Sequence, residues 1–349
     1  MMIRNLIIFS FLIILASCSN VEQPLPETPV KHFGKAYKIK ARKKADFESL
    51  DILKPRELVC NSEWIATIDD GSRSGCVCLI SKDFKRCIRG LQVGQGPKDL
   101  SNAARLCVLN DTICVMDFNF RRMMSLKVSD DSIYVTNTSL VDAIGGWGRT
   151  ALTCGRYLMP TLADSLFIKL TDDKGNTLSS IGYPDDKVLS EYSYTARNSI
   201  YMNTCVAVSP DERHFAYGVM YAETYGFGSI VATDISSTKT YVYSSPMIGH
   251  VIEDGKFLIP AKTSRVNVIS VTGNNDIAIF AYSGEGYKAM ASSDNLLVYK
   301  WDGAPKFRLI PDTPVMIIAV DNSRDVLMCI AYTPEAQYVE YDLKAVKDL

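Results

Sequence analysis

The stretch LQVGQGPKDLSNAARLCVLNDTICVMDFNFRRMMSL, residues 91–126, decides the fold class. Within GQGP, residues 94–97, the glycines can adopt a positive φ and the proline fixes φ near about −65°, so this segment predicts a sharp crossing between two structural units. Two short apolar runs then flank Asn110-Asp111, which is the composition of a β-hairpin, and a third apolar run follows. The stretch predicts a unit of several short antiparallel strands without a helix.

Similar turn clusters, each running into an apolar strand, recur along the chain. Their centres are spaced by about 52 residues on average, a period typical of propellers and solenoids, and lie near residues 61, 110, 155, 211, 274 and 322. We therefore predict an all-β, six-bladed β-propeller. Further turn clusters near residues 254 and 294 leave a seven- or eight-bladed propeller open, and a pair of β-sandwiches is the main rival.

The first residues carry the features of an export signal. Arg4 precedes an apolar run, Leu6 to Ala16, that is too short to span a bilayer, and Cys18 follows directly after small residues. The pattern resembles the signal peptide and lipobox of bacterial lipoproteins, in which the cysteine becomes the acylated first residue. The resemblance implies a signal peptide at 1–17, a lipidated, proline-rich tether at 18–35 and a propeller at 36–349. An ordinary secretory signal with a chance cysteine is the alternative.

Charge excludes one class of partner. The formal net charge of −1 argues against nucleic acid, because phosphate binding needs concentrated Lys and Arg. The one basic stretch, residues 31–44, has seven Lys or Arg and no acid. Its alternation predicts an edge strand with a solvated charged face, with a patch for anionic lipid headgroups as the alternative.

Four segments resemble one family. GQGPKDL at 94–100 and the strands after it, YPDD at 183–186, VYKWDGAPKFRL at 298–309 and TPEAQYVEYDL at 333–343 resemble the TolB-like six-bladed β-propeller lipoproteins of Bacteroidetes. The likeness covers nearly the whole mature chain. It implies a bacterial cell-envelope location as an outer-membrane lipoprotein, periplasmic or surface-facing, and it brings no catalytic motif. Asp99 replaces the usual Glu, and Glu212 replaces the Gly common after Ser-Pro-Asp.

In a propeller, strand parity assigns each loop to one of two faces. The crossings between blades would share a face with Arg121 and Arg122, which we expect to brace a turn, and with aromatic loops. Exposed rings beside arginines are typical of recognition surfaces, whereas the alternative is that the rings pack between blades. The candidate ligand-binding residues on this face are Trp147, Arg149, Tyr192, Tyr194, Arg197, Tyr221 and Tyr225.

The cysteines suggest one pairing. Ten cysteines leave nine once Cys18 is lipidated. If Asn110-Asp111 is a hairpin turn, Cys107 and Cys114 lie directly opposite each other and could form a disulfide. We expect buried free thiols instead, because cysteine packs as a small hydrophobe and directly opposed positions strain a disulfide.

No catalytic motif, metal site or cofactor is predicted. Only His32, His214 and His250 exist, and Asp172–Asn176 predicts a polar hairpin tip, since a lysine occupies a ligand position of any calcium loop. We expect a binding module for a glycan, a peptide or an envelope partner. The alternatives are a structural scaffold of an envelope complex and a propeller hydrolase or lyase.

Overall fold

The computed structural model describes residues 28–101, 104–141, 151–153, 155–161, 166–184, 197, 201, 203–220, 222, 224–243, 251–253, 256–258, 268–283, 292–332 and 334–347. Almost all regular structure in these residues is β-strand, arranged as six small sheets around a channel. The six-bladed β-propeller that the turn spacing predicts is confirmed, and the strands described on either side of the turn cluster near residue 254 pair as a separate two-stranded sheet instead of a seventh blade.

Strands are numbered in chain order, and each blade is numbered from its first inner strand. Two strands precede the first blade, β1 (Ala36–Ile39) and β2 (Lys43–Asp46). Blade 1 comprises β3 (Val59–Cys60), β4 (Trp64–Ile68), β5 (Ser74–Ser81) and β6 (Cys87–Gln92). Blade 2 comprises β7 (Ala104–Leu109), β8 (Thr112–Asp117), β9 (Arg122–Ser129) and β10 (Ser132–Leu140). Blade 3 comprises β11 (Ala151–Thr153), β12 (Arg156–Pro160), β13 (Leu166–Thr171) and β14 (Thr177–Gly182).

The second half of the chain repeats this plan. Blade 4 comprises β15 (Thr204–Val208), β16 (His214–Val219), β17 (Thr224–Val231) and β18 (Asp234–Val242), and the separate two-stranded sheet is β19 (Val251–Glu253) and β20 (Lys256–Leu258). Blade 5 comprises β21 (Val268–Gly273), β22 (Ile277–Tyr282), β23 (Asn295–Lys300) and β24 (Pro305–Pro311). Blade 6 comprises β25 (Ile317–Asp321), β26 (Val326–Tyr332) and β27 (Ala336–Asp342), after which a short helix, α1 (Lys344–Lys347), follows.

The innermost strands form a closed ring. Each of β3, β7, β11, β15, β21 and β25 contacts the next, and β25 returns to β3. Side chains link these strands across blade boundaries, because an inner strand has one edge without a sheet partner. Between blades 5 and 6, Ser270 Oγ accepts the Ile318 N–H at 3.2 Å, and Thr272 Oγ1 accepts the Val320 N–H at 3.2 Å.

The N-terminal strands complete the last two blades. β2 is the outer strand of blade 6, antiparallel to β27, and β1 adds a fifth strand to blade 5, parallel to β24. Arg42 and Lys44 pair with Glu340 and Asp312, at 3.2 and 3.8 Å. The edge-strand interpretation of the basic stretch is confirmed, and the ring is closed by chain segments from both ends of the described sequence.

All six predicted turns join a first strand to a second strand, so they lie together at one end of the channel, which we call the turn face. Asn110 and Asp111 have φ of 48° and 60°, the conformation of a two-residue type I′ turn. The crossings between blades lie at the opposite end, the crossing face.

The GQGP crossing requires its two glycines, but not because they adopt the positive φ that the sequence predicted. Neither Gly94 nor Gly96 has a positive φ. Instead, a Cβ on either would lie within 3.0 Å of the Asp99 carboxylate, which accepts the Gly96 N–H at 2.7 Å. Arg122 donates to the carbonyl oxygens of Pro97 and Asp99, so it braces this crossing as expected.

Candidate binding site on the turn face

The central channel encloses a cavity of about 440 Å³ lined by the inner strands of blades 1, 2, 4, 5 and 6. Its main charged pair is Glu57 and Arg105, with Oε1 and Nε 3.0 Å apart. The other oxygen of Glu57 accepts the Leu106 N–H at 2.6 Å. The Glu57 carboxylate therefore binds to groups of blade 2 and links blades 1 and 2, so its role is structural.

A larger concavity, of about 620 Å³, opens on the turn face across the turns of blade 5, with blade 4 on one side and blade 6 on the other. Its lining has a buried apolar part, made of Ile277, Trp301, Phe307 and Leu343. Its polar part contains Asp211, His214, Asn274, Asn275, Asp276, Lys300, Asp302 and Lys306. This combination of an apolar floor and a polar rim is typical of a binding site.

Two turns of blade 5 are fixed to each other beneath this concavity. Asn274 Oδ1 accepts the N–H groups of Asp276 and Ile277 at 2.9 and 3.0 Å, which caps the turn between β21 and β22. Trp301, in the turn between β23 and β24, donates its Nε1–H to the Asn274 carbonyl at 2.8 Å. The tryptophan thus holds the neighbouring turn in place, and the polar residues of both turns face the same space.

Blade 4 supplies the opposite side of the concavity. Ser209 Oγ lies 2.6 Å from Asp211 Oδ1, and Ser209 Oγ also accepts the His214 N–H at 3.0 Å. The hydrogen bond from Ser209 lowers the pKa of Asp211, so this carboxylate stays charged at neutral pH. Asp211 and His214 also line a second concavity of about 480 Å³ that extends toward Arg156 of blade 3.

The two concavities share Asp211 and His214 in their linings, and together we call them the turn-face groove. Its rim carries the carboxylates of Asp211, Asp276 and Asp302, and the ammonium groups of Lys300 and Lys306. The groove thus carries charges of both signs, so it suits an extended ligand with several polar groups better than a single ion.

Most of the sequence-predicted ligand-binding residues lie outside the described residues: Trp147, Arg149, Tyr192, Tyr194 and Tyr221. The predicted lipidation residue, Cys18, also lies outside them. Arg197 is described and half-buried, with its guanidinium 6.0 Å from the Tyr183 ring centroid. A ring contact of this kind holds the arginine against the protein.

Tyr225 does not lie in an exposed loop, and this expectation is corrected. β17 already begins at Thr224, so Tyr225 is a strand residue, opposite Gly218 and Tyr241 in the sheet of blade 4. Its ring is fully buried and packs 5.4 Å from that of Phe280 in blade 5. The alternative interpretation, in which a large ring fills the space between two blades, describes Tyr225.

Sequence reasoning missed the turn-face groove. The turn near residue 274 was predicted, and the stretch VYKWDGAPKFRL that contains the other turn entered through the family resemblance, but neither was assigned to a site. A signal that could have found the groove is the tryptophan inside the second turn, because such a large apolar side chain has to be covered by a neighbouring element.

The cysteine register is confirmed. Cys107 lies directly opposite Cys114 in the first hairpin of blade 2, and both are free thiols in this structure.

Within the described ranges, no group of three or more His, Cys, Asp and Glu side chains is placed to hold a metal ion. The same part of the chain has no helix of the length and hydropathy that crossing a bilayer requires. Comparison of the sequence with protein-family models and with curated proteins finds no match.

Proposed function

We propose that the protein is a lipid-anchored binding module of the bacterial cell envelope, which holds an extended polypeptide segment of a partner protein in the turn-face groove. The observation that carries this proposal is the groove itself: an apolar floor next to Trp301, bounded by charges of both signs. The rim charges would select the partner sequence and supply most of the affinity, because each floor residue is at most 6% exposed and adds only a small apolar contact.

The shape of the groove favours a polypeptide. It continues from blade 6 to the outer turn of blade 4, where Val231 is 67% exposed. Successive side chains of an extended peptide point to opposite sides, so one set can reach an apolar floor while the other meets charges. Asp276, in the turn before β22, and Lys300, at the end of β23, would then pair with a basic and an acidic residue of the partner.

A glycan is the less favoured ligand of this groove. Sugar binding relies on exposed aromatic ring faces, and Trp301 is only 4% exposed. Among the large apolar side chains that the structure describes, the exposed aromatic one is Tyr134, on the outer strand β10 of blade 2. A glycan site would have to use the predicted aromatic loops of the crossing face.

The anchor proposal rests on the sequence of residues 1–18 and gains a structural context. Residues Pro29–His32 form a 3-10 turn, and Phe33 packs with a ring-centroid distance of 5.0 Å against Tyr299 of blade 5. His32 Nδ1 lies 2.7 Å from the hydroxyl of Tyr243, which follows blade 4. The segment leading from Cys18 therefore docks on the two blades that form much of the groove.

A peptide library displayed on phage and a glycan array test the proposal. Peptides that bind the wild-type protein should bind the Asp276→Lys variant at least tenfold more weakly. The substitution replaces an exposed carboxylate by an ammonium group, which repels a basic residue of the peptide. The matched control is Asp173→Lys, the same change at the exposed hairpin tip of blade 3. Equal effects of the two variants would contradict the groove assignment, and binding to glycans alone would contradict the polypeptide assignment.

A further inference from the structure

Cys107 and Cys114 face each other where blade 2 meets the central channel. Leu109 and Thr112 close the type I′ turn, so the cysteines, two positions farther along each strand, form a hydrogen-bonded pair of the ladder. The Cα atoms of such a pair are about 5.5 Å apart, inside the range of about 4.4 to 6.8 Å found in disulfides. The backbone therefore permits a covalent bond between the two sulfurs.

The two thiols have different surroundings. Cys107 is half-buried and lines the channel, whereas Cys114 is buried in blade 2, with Sγ 3.7 Å from Ser125 Oγ. The hydrogen bond between the two thiols, helped by Ser125, lowers the pKa of Cys114 to about 7 against the opposing effect of burial. The same hydrogen bond, together with burial, raises the pKa of Cys107, so Cys114 loses its proton before Cys107 does.

The other cysteines that the structure describes lack this combination. Cys60 also lines the channel, but burial raises the pKa of its thiol to about 11. Cys78 and Cys87 of blade 1 share a hydrogen bond, yet neither lines the channel. Access from the channel and a partner thiol coincide at Cys107.

We propose that Cys107 and Cys114 form a reversible dithiol–disulfide site that reacts with small organic disulfides entering the central channel. This inference is independent of the turn-face groove. The cavity of about 440 Å³ is large enough to admit a compact molecule of this class.

The reaction follows thiol–disulfide exchange. Cys107 passes its proton to Cys114, and the resulting Cys107 thiolate attacks one sulfur of the incoming disulfide. A mixed disulfide forms on Cys107 as the original S–S bond breaks. The leaving thiolate then takes the proton from Cys114. The Cys114 thiolate then attacks Cys107 Sγ, forms the intramolecular disulfide and releases the second thiolate. Two cysteine sulfurs are oxidised, and one small disulfide is reduced to two thiol products.

Reversibility follows from the register. Cβ atoms of directly opposed residues are about 4.5 to 5.5 Å apart, whereas a disulfide needs about 3.5 to 4.5 Å. The two strands must draw together when the bond forms, and a strained disulfide is more easily reduced.

The test uses the full chain, purified in detergent with its thiols reduced, and oxidised glutathione as the probe. Peptide mapping by mass spectrometry should find a Cys107–Cys114 cross-link that forms before any other cysteine reacts and that dithiothreitol reverses. Cys114→Ser should trap glutathione on Cys107, more slowly than the wild-type protein cross-links because the variant lacks the thiolate that accepts the Cys107 proton. Cys87→Ser, outside the channel, should leave the cross-linking rate unchanged.

Two results would overturn the proposal. One is a wild-type protein in which glutathione modifies Cys60 or Cys87 first and Cys107 stays reduced; this measurement needs no variant and does not depend on how a variant folds. The other is a folded Cys114→Ser protein, judged by its near-ultraviolet circular dichroism, that carries no glutathione on Cys107.

Discussion

Lys82 of blade 1 and Asp321 of blade 6 form an ion pair at the junction where the propeller ring closes, with Nζ 2.6 Å from Oδ2. The Asp321 side chain is only 2% exposed and also accepts hydrogen bonds from Ser323 and Arg324. Burial raises the pKa of Asp321, but these three donors outweigh it and hold the pKa well below its usual range. A charged carboxylate therefore sits at the contact between the first and last blades.

Removing the lysine should weaken this closure. We expect Lys82→Met to lower the free energy of unfolding by about 1 to 3 kcal/mol, because a buried carboxylate loses one of its charged donors while Arg324 remains. Urea denaturation at pH 7 measures the change. Lys85→Met is the control: its side chain is 83% exposed and 3.9 Å from Asp83, so we expect a change within about 0.5 kcal/mol. Equal losses in both variants would contradict a special role for Lys82.

The same pair predicts a pH dependence. The pKa of Asp321 is lower in the folded protein than the value of about 3.9 in an unfolded chain, so its contribution is complete above that pH and is lost as pH falls through the folded pKa. The stability difference between wild type and Lys82→Met should therefore shrink below about pH 4. Urea titrations from pH 7 to pH 2.5 test this, and a difference that stays constant would argue that Lys82 acts through packing alone.

Glycines of blade 4 are required by aromatic rings. Gly226 lies opposite Tyr217, and a Cβ at Gly226 would be 2.0 Å from the Tyr217 ring. We expect Gly226→Ala to destabilise the protein by about 1 to 3 kcal/mol, because the ring has to leave its position over the glycine. In contrast, a Cβ at Gly34 has nothing within 4 Å, so Gly34→Ala should be nearly neutral. Thermal unfolding of both variants compares them directly, and similar melting temperatures would refute the steric explanation.

The inner hairpins were predictable because their information is local. Asn110-Asp111 adopts positive φ values that asparagine and aspartate tolerate, and apolar residues flank it on both sides. The period of such turns then limits the number of blades. The sequence did not predict which blades the N-terminal strands join. The pairing of β2 with β27 connects residues nearly 300 positions apart, such as Arg42 and Glu340, and no local pattern signals it.

The candidate site was harder to predict than the fold. Tyr225 was predicted on an aromatic loop, yet it lies in β17, where Gly226 and Gly228 are strand positions covered by Tyr217 and Phe215. The groove depends on the contact between Trp301 and Asn274, which are far apart in sequence and meet only when the two turns of blade 5 are adjacent. Neither residue signals this contact alone.

The turn at Asp111 combines a backbone and a side-chain requirement. Asp111 has φ of 60°, and its Oδ1 accepts the Ser62 N–H of blade 1 at 2.8 Å. Asp111→Gly and Asp111→Ala both lose this contact between blades, but only alanine opposes the positive φ. Asp111→Ala should therefore be less stable than Asp111→Gly by about 1 kcal/mol in urea denaturation. Equal stability of the two variants would show that the turn does not impose its backbone conformation.

The docking of the N-terminal segment should weaken in mild acid. His32 is hydrogen-bonded to the Tyr243 hydroxyl at 2.7 Å and lies edge-on to the Tyr241 ring; burial first, and then the charge of Lys239, lower the pKa of His32 below 6.5. His32 takes up a proton more readily when the segment is free than when it is docked. The contribution of neutral His32 to docking is therefore complete above about pH 6.5 and is lost as pH falls toward the pKa that His32 has in the docked segment. Hydrogen exchange at residues 30–35 should show protection that decreases between pH 7 and pH 5, relative to a His32→Gln variant that cannot be protonated and experiences the same intrinsic exchange rates. Parallel pH profiles in the two proteins would mean that His32 does not control the docking, and the hydrophobic contact of Phe33 with Tyr299 would then be its main cause.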